Sequence, residues 1–359
     1  MSTAGPVFAR PRTPAAKSLH LVRLNPIITR SELVKATGLS QPTITRATAA
    51  LLKAGLIQER TDLTRSQGRG RPTVPLEASD NGWLLAGIAV GTSSTYIGLY
   101  DTRGRIIRED NVPTPVSKLS PDDFVEHVIA GVNRLATGVD RTLVSVGVTT
   151  SGTVDEEGKV HAANLGWDGM DIAGRLDFQF GVPVTVTPAV PAILASETQA
   201  APLGDEARTL VLFADDSIGA ALSDEDGVAP IDLPQFDGAD PRDTLVNAAL
   251  APRLAEAADA SSVLAQRASD LGRLTAQLID AHRPDTVVIA GSAFYDVPTA
   301  PKLFASAARG ELDPDLASAT ELRMIPNHKE IVRSIARAVA LDPLLRTPLE
   351  LNTAKVRAA

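Results

Sequence analysis

One segment close to the N-terminus constrains the fold of this chain more than any other. Thr29 and Glu32 have the spacing of a capping box, which predicts the start of a short helix, and Gly38 predicts its end. Ser40 followed by Pro42 predicts the start of a second helix, because a missing N–H costs nothing in a first turn. Two short helices joined by a tight glycine-containing turn are typical of a helix-turn-helix, whose second helix enters the DNA major groove.

A strand and a basic, glycine-rich turn follow the second helix. Residues 56–59 predict a strand, and residues 68–72 read Gly-Arg-Gly-Arg-Pro. Together they predict a wing, in which Arg69 and Arg71 enter an A·T-rich minor groove and Gly70 lets the backbone approach closely. The alternative is a helical hairpin that packs on another part of the chain, followed by a flexible basic linker. The order of helix-turn-helix, wing and basic turn favours DNA binding.

The second helix supplies the other residues that we expect to contact DNA. Gln41, Thr43 and Arg46 are expected to read base edges in the major groove. Ser40 and Thr45 are expected to contact phosphates, which position a protein without reading sequence. Double-stranded DNA is therefore the predicted partner.

Charge is distributed unevenly along the chain. Residues 1–75 contain 12 lysines and arginines and three acids, a balance of +9, although the whole chain carries −8. The remainder is therefore strongly acidic. A basic head on an acidic body fits a head that meets phosphates and a body that does not.

Composition excludes several classes of protein and site. The chain has 359 residues, of which 44% are hydrophobic, enough for two or three domains with their own cores. It has no cysteine, so disulfides and thiolate metal sites are excluded, and its five histidines form no ligand-spaced pair. We predict no metal and no cofactor. Because there is no membrane-length apolar run and no apolar signal-peptide core, we expect no membrane partner and a cytoplasmic protein.

The pattern of strands and helices beyond the head indicates an α/β body. Residues 84–90 and 95–101 predict paired strands, residues 121–137 a helix and residues 143–149 a buried strand. Strands that meander and then alternate with helices are typical of an α/β domain.

The chain resembles the ROK family, which joins repressors and sugar kinases. The matching segments are residues 28–33, 37–40 and 68–72 in the head, and 87–101, 146–155, 164–167 and 288–291 in the body. The resemblance implies an α/β fold with a winged helix-turn-helix in front of an actin-like, two-lobed body similar to a sugar kinase. Composition and resemblance together divide the chain into a disordered arm (1–14), a winged helix-turn-helix domain (15–76), a linker (77–81), a first lobe (82–190) and a second lobe with the C-terminal helix (191–359).

The sequence departs from the kinases of the family where their chemistry is done. Ala89 stands where the kinases have an aspartate that works with metal and phosphate, and Asp215 and Asp216 stand in a phosphate loop that is otherwise glycine-rich. Pro188 and Ala189 replace an Asn-Asp pair whose aspartate is the catalytic base. The family's zinc site, built from a Gly-His and a cysteine cluster, has no counterpart. We therefore expect no catalytic residue and no enzyme activity.

Three residues are candidates for contact with a sugar-like effector. They are Asn164, Trp167 and Glu197. Their ordinary roles are a turn residue, a buried core residue and a helix-surface charge, and these roles are favoured.

The sequence thus predicts a DNA-binding transcriptional regulator, and by resemblance a repressor, that binds a two-fold operator as a homodimer or higher oligomer. Residues 264–279 and 331–345 are either dimer surfaces or core. Two alternatives stay open. One is a sugar kinase with a DNA-binding head. The other is a regulator whose body binds an effector weakly or not at all and serves dimerisation or a protein partner.

Overall fold

A computed structural model describes residues 6–64, 73–204, 207–325 and 328–351 of the chain. The head contains three helices and a two-stranded antiparallel sheet: α1 (Pro14–Leu24), α2 (Arg30–Thr37), α3 (Gln41–Lys53), β1 (Ile57–Glu59) and β2 (Leu76–Ala78). The predicted helix-turn-helix and the strands of the predicted wing are therefore present. The basic turn of the wing lies outside the described residues.

Local capping explains where the helices of the head begin. The Thr29 hydroxyl accepts a hydrogen bond from the Glu32 N–H, and the Thr29 N–H donates to the Glu32 carboxylate at 2.7 Å, which completes the predicted capping box. The Ser40 hydroxyl accepts from the Thr43 N–H and starts α3. Gly38 ends α2 with a left-handed φ of 68°, a conformation that glycine adopts without strain.

The first lobe is built on a five-stranded sheet with strand order β10-β6-β3-β4-β5. Parallel pairing joins β10, β6 and β3, and antiparallel pairing joins β3, β4 and β5. A small antiparallel sheet, β7-β8-β9, follows β6. The elements are β3 (Trp83–Val90), β4 (Ser94–Tyr100), β5 (Ile106–Pro113), α4 (Pro121–Ala136), β6 (Thr142–Thr150), β7 (Thr153–Val154), β8 (Val160–Ala162), β9 (Trp167–Met170), α5 (Ile172–Phe180) and β10 (Val184–Pro188).

The second lobe is built on another five-stranded sheet, with strand order β13-β12-β11-β14-β15. β11 and β12 pair antiparallel, and β14 pairs parallel with both β11 and β15. The elements are α6 (Ala189–Thr198), β11 (Thr209–Ala214), β12 (Ile218–Ser223), β13 (Val228–Ile231), α7 (Pro241–Thr244), α8 (Asn247–Glu256), α9 (Ala260–His282), β14 (Thr286–Ala290), α10 (Ala300–Gly310), α11 (Pro314–Ala319), β15 (Glu321–Ile325) and α12 (His328–Arg346). No helix in the described part of the chain is both long and apolar enough to cross a bilayer.

The C-terminal helix packs on both lobes, against α6 and against the first sheet, whereas the predicted division placed it with the second lobe. α12 packs across β3, β4 and β6 of the first sheet. A Cβ atom added at Gly87 would lie 2.1 Å from the Ala336 carbonyl oxygen, and one added at Gly147 would lie 2.5 Å from that of Val339. These two glycines let the helix backbone rest directly on the strands. The partner that fixes α12 is therefore about 190–250 residues away in sequence, which no local pattern reveals.

The head and the body share one hydrophobic core. Leu33, Ile44 and Leu51 of the head belong to the same buried cluster as Trp83 of the first sheet and Leu344 of α12. This continuity also changes the predicted linker at residues 77–81: its first two residues lie in β2. Asp80 then forms a salt bridge with Arg141 of the first lobe at 2.6 Å. The connection is thus held at both ends, because each end has a tertiary partner.

The arm expected to be disordered at residues 1–14 is packed on the body over its described part, from residue 6 onward. Phe8 is 5% exposed, and its N–H donates to the Asp342 carboxylate at 2.8 Å. Its φ of 62° is an uncommon backbone state for a bulky residue. Ala9 forms a β-bridge with Gly227, and Arg12 pairs with Asp226. The expectation of disorder was wrong here because it rested on local composition, whereas the ordering contacts are long-range.

The two segments left open as dimer surface or core are mostly core. In α12, Ile331, Ile335 and Leu345 are buried within the chain. In α9, Leu271 and Leu278 are buried against the second sheet. These residues are therefore not free to contact a second subunit.

Candidate nucleic-acid interface

The inner side of α3 is fixed by apolar packing and by one arginine. Ile44, Ala47 and Leu51 are buried on its inner face. Arg30 of α2 donates to the Thr48 hydroxyl at 3.1 Å and to the Glu59 carboxylate at 2.7 Å. Arg30 therefore joins α2, α3 and the first wing strand, and the helix has a defined orientation relative to the wing.

The predicted DNA-contacting residues lie together on the opposite, outer side of the helix. Gln41, Thr45 and Arg46 are exposed, and Thr43 is half-buried. The Thr45 hydroxyl donates to the Gln41 carbonyl at 2.9 Å, and the Ser40 and Thr43 hydroxyls lie 2.9 Å apart. Within the described ranges, the Arg46 side chain makes no hydrogen bond or ion pair. Its guanidinium, which has five N–H donors, is thus available to a partner.

The wing strands are paired in register and lead into the undescribed turn. Glu59 lies opposite Leu76, and the Arg60 N–H donates to the Pro75 carbonyl at 2.9 Å. Arg69, Gly70 and Arg71 fall in residues 65–72, outside the described residues, so their predicted minor-groove role stays a prediction.

The cleft carboxylates that stand at the family's phosphate-binding positions accept hydrogen bonds from other residues of this chain. The Asp215 carboxylate accepts from the Asn247 amide at 3.0 Å and from the Ser292 hydroxyl at 2.9 Å. The Asp216 carboxylate accepts from the same Asn247 amide at 3.0 Å and from the Thr92 hydroxyl at 2.7 Å. Because Thr92 lies in the β3–β4 turn, this last bond joins the two lobes directly.

A buried arginine supports this cluster from behind. Arg267 is 2% exposed and donates to the Leu245 carbonyl at 2.8 Å, to the Asp215 carbonyl at 3.2 Å and to the Asp296 carboxylate at 3.1 Å. Burial lowers the pKa of Arg267 and raises the pKa of Asp296, although each group's charge favours ionisation of the other. The carboxylates and the main-chain carbonyl of this loop are thus hydrogen-bonded to other residues of the chain.

The other positions at which the sequence departs from the kinases of the family carry no group that transfers protons. Ala89 is buried on β3, and Pro188 and Ala189 form the junction of β10 and α6. In the described part of the chain, no cluster of three or more His, Asp or Glu side chains is arranged to hold a metal ion.

The three effector candidates lie in separate settings. The Asn164 side chain accepts from the Ser151 hydroxyl at 2.9 Å, and Glu197 pairs with Arg323. Trp167 is 4% exposed and packs edge-on against Phe124 with ring centroids 4.9 Å apart. No hydrogen bond, ion pair or ring contact among the described residues joins any two of the three candidates. A stacking platform for a sugar is therefore not formed by Trp167.

Sequence reasoning missed four residues that organise these sites. Arg30 positions the helix-turn-helix, Thr92 and Asn247 donate to the carboxylates of the cleft, and Arg267 donates to the main-chain carbonyl of Asp215. The head contains an excess of arginines, and this excess could have suggested that one of them has a structural role. The other three come together only through tertiary contacts, so no local sequence pattern indicates them.

Comparison with known proteins agrees with this arrangement. The sequence profile of the ROK family matches residues 85–221, and a profile named Winged helix-turn-helix DNA-binding matches residues 19–58. Transcriptional regulator Rv0485 of Mycobacterium tuberculosis is 30% identical over 344 residues, covering 80% of this chain and 76% of that protein. DNA-binding transcriptional dual regulator NagC of Escherichia coli is 26% identical over 141 residues, covering 37% of this chain and 33% of that protein.

Solved structures share the fold of all or most of this chain. A ROK family transcriptional regulator described as a homologue of the E. coli MLC protein superposes with a TM-score of 0.74 at 18% identity, covering 95% of this chain and 98% of its own. The ROK hexokinase of Thermus thermophilus superposes with a TM-score of 0.55 at 19% identity, covering 72% of this chain and 98% of its own. The chain belongs to the ROK family and is a DNA-binding transcriptional regulator with an N-terminal winged helix-turn-helix.

Proposed function

We propose that this protein represses transcription as a homodimer that places its two winged heads on a two-fold operator. The observation that carries the proposal is the outer face of α3, where the exposed Gln41 and Arg46 side chains project from a helix fixed on its inner side. Glutamine recognises adenine and arginine recognises guanine through paired hydrogen bonds in the major groove. A two-fold protein requires half-sites about 10 or about 20 base pairs apart.

The remaining predicted contacts position the head on DNA. Ser40 and Thr45 bind phosphates at the start of α3, where exposed backbone N–H groups also favour anions. Arg69 and Arg71 enter the minor groove beside the recognition helix, with Gly70 at the closest approach.

The body, in this proposal, carries out no phosphoryl transfer. A nucleotide would bring its phosphates to Asp215 and Asp216, whose carboxylates repel them and already hold internal donors. A hexose bound beside Pro188 and Ala189 would find no carboxylate to take its proton.

Fluorescence-anisotropy titration of the full chain on DNA from upstream of its own gene tests the repressor proposal. Measured at two salt concentrations, specific binding should weaken steeply as salt rises, because phosphate contacts release counterions. The Arg69→Ala, Arg71→Ala double variant should bind more weakly and with a shallower salt dependence. Equal binding of the variant and the wild type would contradict the role of the wing. Sedimentation equilibrium should give twice the 37.6 kDa chain mass.

A second measurement separates the regulator from a kinase with a DNA-binding head. ATP turnover with a panel of hexoses should stay at background. Turnover that Asp215→Ala abolishes would contradict the non-enzymatic body.

A second candidate function is regulation through a sugar-like effector in the body. It is favoured by similarity to a Caldicellulosiruptor protein named putative xylose repressor, which is 24% identical over 54% of this chain and 49% of its own length. It is also favoured by the Trp167 indole N–H, which is buried with no partner among the described residues. A sugar at about 100 times its Kd should add about 2.7 kcal/mol to the free energy of unfolding, which thermal-shift screening detects.

A further inference from the structure

A cavity lies where the winged head, the N-terminal arm and the body meet. Its volume is about 420 Å³, which is within the range of small-molecule sites. The walls are formed by residues 8–12 of the arm, by α1 and α2 of the head, and by α6 and α12 of the body. It is distinct from the cleft between the lobes, since it contains none of the residues that replace the kinase groups.

The charged side chains around this cavity are predominantly basic. Arg10, Arg12, Lys17 and Arg346 line it together with two acids, Glu225 and Asp342.

Some of these charges are already neutralised by salt bridges within the chain. Arg346 and Asp342 form a salt bridge at 2.7 Å, and Arg12 pairs with Asp226 outside the lining. The Arg10 side chain donates to the main-chain carbonyl of Asp224 at 2.6 Å and forms no ion pair with a carboxylate among the described residues.

The Lys17 ammonium has neither a hydrogen bond nor an ion pair in the described ranges, and the residue is half-buried on α1. The single unpaired acid, Glu225, is exposed to solvent. Two cations thus face one peripheral carboxylate, and an anionic group from outside the chain would balance them.

A buried histidine gives a second, independent indication of what the cavity binds. His20 lines the cavity and is 2% exposed. Its Nε2 lies 2.8 Å from the Ala201 carbonyl oxygen, which fixes the proton on that nitrogen. Burial lowers the pKa of His20, which keeps the ring neutral and Nδ1 unprotonated. Nδ1 is buried with no partner among the described residues, an acceptor that a ligand hydroxyl would satisfy.

We infer that this cavity binds a small hydroxylated anion, a molecule with a phosphate or carboxylate group for Lys17 and Arg10 and a hydroxyl for His20. Such a ligand contacts the head and the body at once, so it stabilises the docked position of the head. The effect of this ligand on operator binding rests on the proposed function, whereas the binding of the ligand to the cavity does not. A hydroxyl donor on an anionic molecule distinguishes this ligand from a simple inorganic ion.

Thermal-shift and calorimetric titrations of the full chain test the site. The probes are glycerol 3-phosphate and citrate, two hydroxylated anions with different charged groups, and glycerol, which has hydroxyls and no charge. At least one of the anions should raise the Tm, and glycerol should not. Response to glycerol 3-phosphate alone identifies a phosphate ligand, response to citrate alone a carboxylate ligand, and either supports the inference.

Charge-removing variants locate the binding. Lys17→Met should weaken the anion about tenfold, the effect of one lost charge-assisted hydrogen bond. Arg10→Met should act in the same direction. Lys302→Met is the matched control, because Lys302 is exposed on α10 and unpaired within the described part of the chain.

Three results would overturn the inference: no shift with either anion, an equal shift with glycerol, or unchanged anion affinity in both Lys17→Met and Arg10→Met. DNA binding is measured separately by anisotropy, so the two proposals fail independently. Lys17-dependent anion binding without specific DNA binding would leave the site intact and remove the operator role. Specific DNA binding without any anion response would do the reverse.

Discussion

The polar groups on the outer face of α3 and those in the cleft between the lobes differ in whether they have hydrogen-bond partners within the chain. Arg46 on α3 is exposed with no partner in the described residues, whereas Asp215 and Asp216 in the cleft hold hydrogen bonds from both lobes. Unpaired donors can bind a ligand without first breaking an internal contact, and paired ones cannot. Family resemblance therefore locates a site, and the pairing state of its side chains decides which of them are available to a ligand.

Removing the arginine behind the cleft should have the largest effect. Arg267→Met removes a buried charge and leaves Asp296 and two main-chain carbonyls without their donor. We expect a loss of about 3 kcal/mol in unfolding free energy, measured by urea denaturation followed by circular dichroism. Arg253→Met is the control, because Arg253 is exposed on α8, and it should change stability by less than about 0.5 kcal/mol. Equal stability of the two variants would mean that the cluster is not held from behind.

The second largest effect concerns DNA affinity. Arg46→Ala should weaken operator binding by about 1–3 kcal/mol and relax discrimination at one base pair, because a bidentate contact is lost. Anisotropy titrations on the operator and on single-base variants measure both. Arg253→Ala, which removes the same charge far from the head, should bind like the wild type.

Arg46→Lys sharpens this test, because it keeps the charge and removes the planar fork. Affinity should fall and discrimination should relax if Arg46 reads a base. Full affinity in Arg46→Lys would instead assign Arg46 to a phosphate, and full affinity in Arg46→Ala would remove it from the interface.

Features fixed by neighbouring residues could be predicted from the sequence. The capping box at Thr29, the Ser40 cap and the turn at Gly38 depend on residues three or four apart, and all three are present. The order of head, first sheet and second sheet also follows from the chain, because most strands have clear apolar patterns.

Features fixed by distant residues could not be predicted. Phe8 is ordered by Asp342, 334 residues away, so the composition of the arm was misleading. The short strands β7, β8, β9 and β15 exist only because a neighbouring strand pairs with them. In the cleft, the sequence predicted that Asp215 repels phosphate, but not that Asn247 and Ser292 hold it.

The bond between the lobes should have a smaller effect than either arginine. Thr92→Val removes the hydroxyl that donates to Asp216 at 2.7 Å and keeps the side-chain shape. We expect a loss of about 1 kcal/mol, the usual net value of one hydrogen bond. A double-mutant cycle with Asp216→Asn should give a coupling energy of at least about 0.5 kcal/mol. Additive single effects would show that the two side chains do not interact and that the lobes are joined elsewhere.

The smallest expected effect concerns a histidine that is paired with carboxylates but exposed to solvent. His161 of β8 is exposed and lies between two carboxylates, with Asp168 2.8 Å from Nδ1 and Asp155 3.2 Å from Nε2. The hydrogen bonds to Asp168 and then to Asp155 raise the pKa of His161 above its ordinary value of 6.5. Because the folded-state pKa is raised, this histidine stabilises the fold fully below the unfolded pKa and loses that contribution as pH rises through the folded pKa.

NMR titration of the His161 ring measures this directly. The midpoint should lie above 6.5 and fall in both Asp168→Asn and Asp155→Asn, with the larger fall for Asp168→Asn. The change in stability should stay small, because solvent screens exposed ion pairs. A midpoint at or below 6.5 would show that the carboxylates do not hold the ring. A large stability change would contradict the rule drawn from the cleft, where pairing has large consequences because Arg267 is buried.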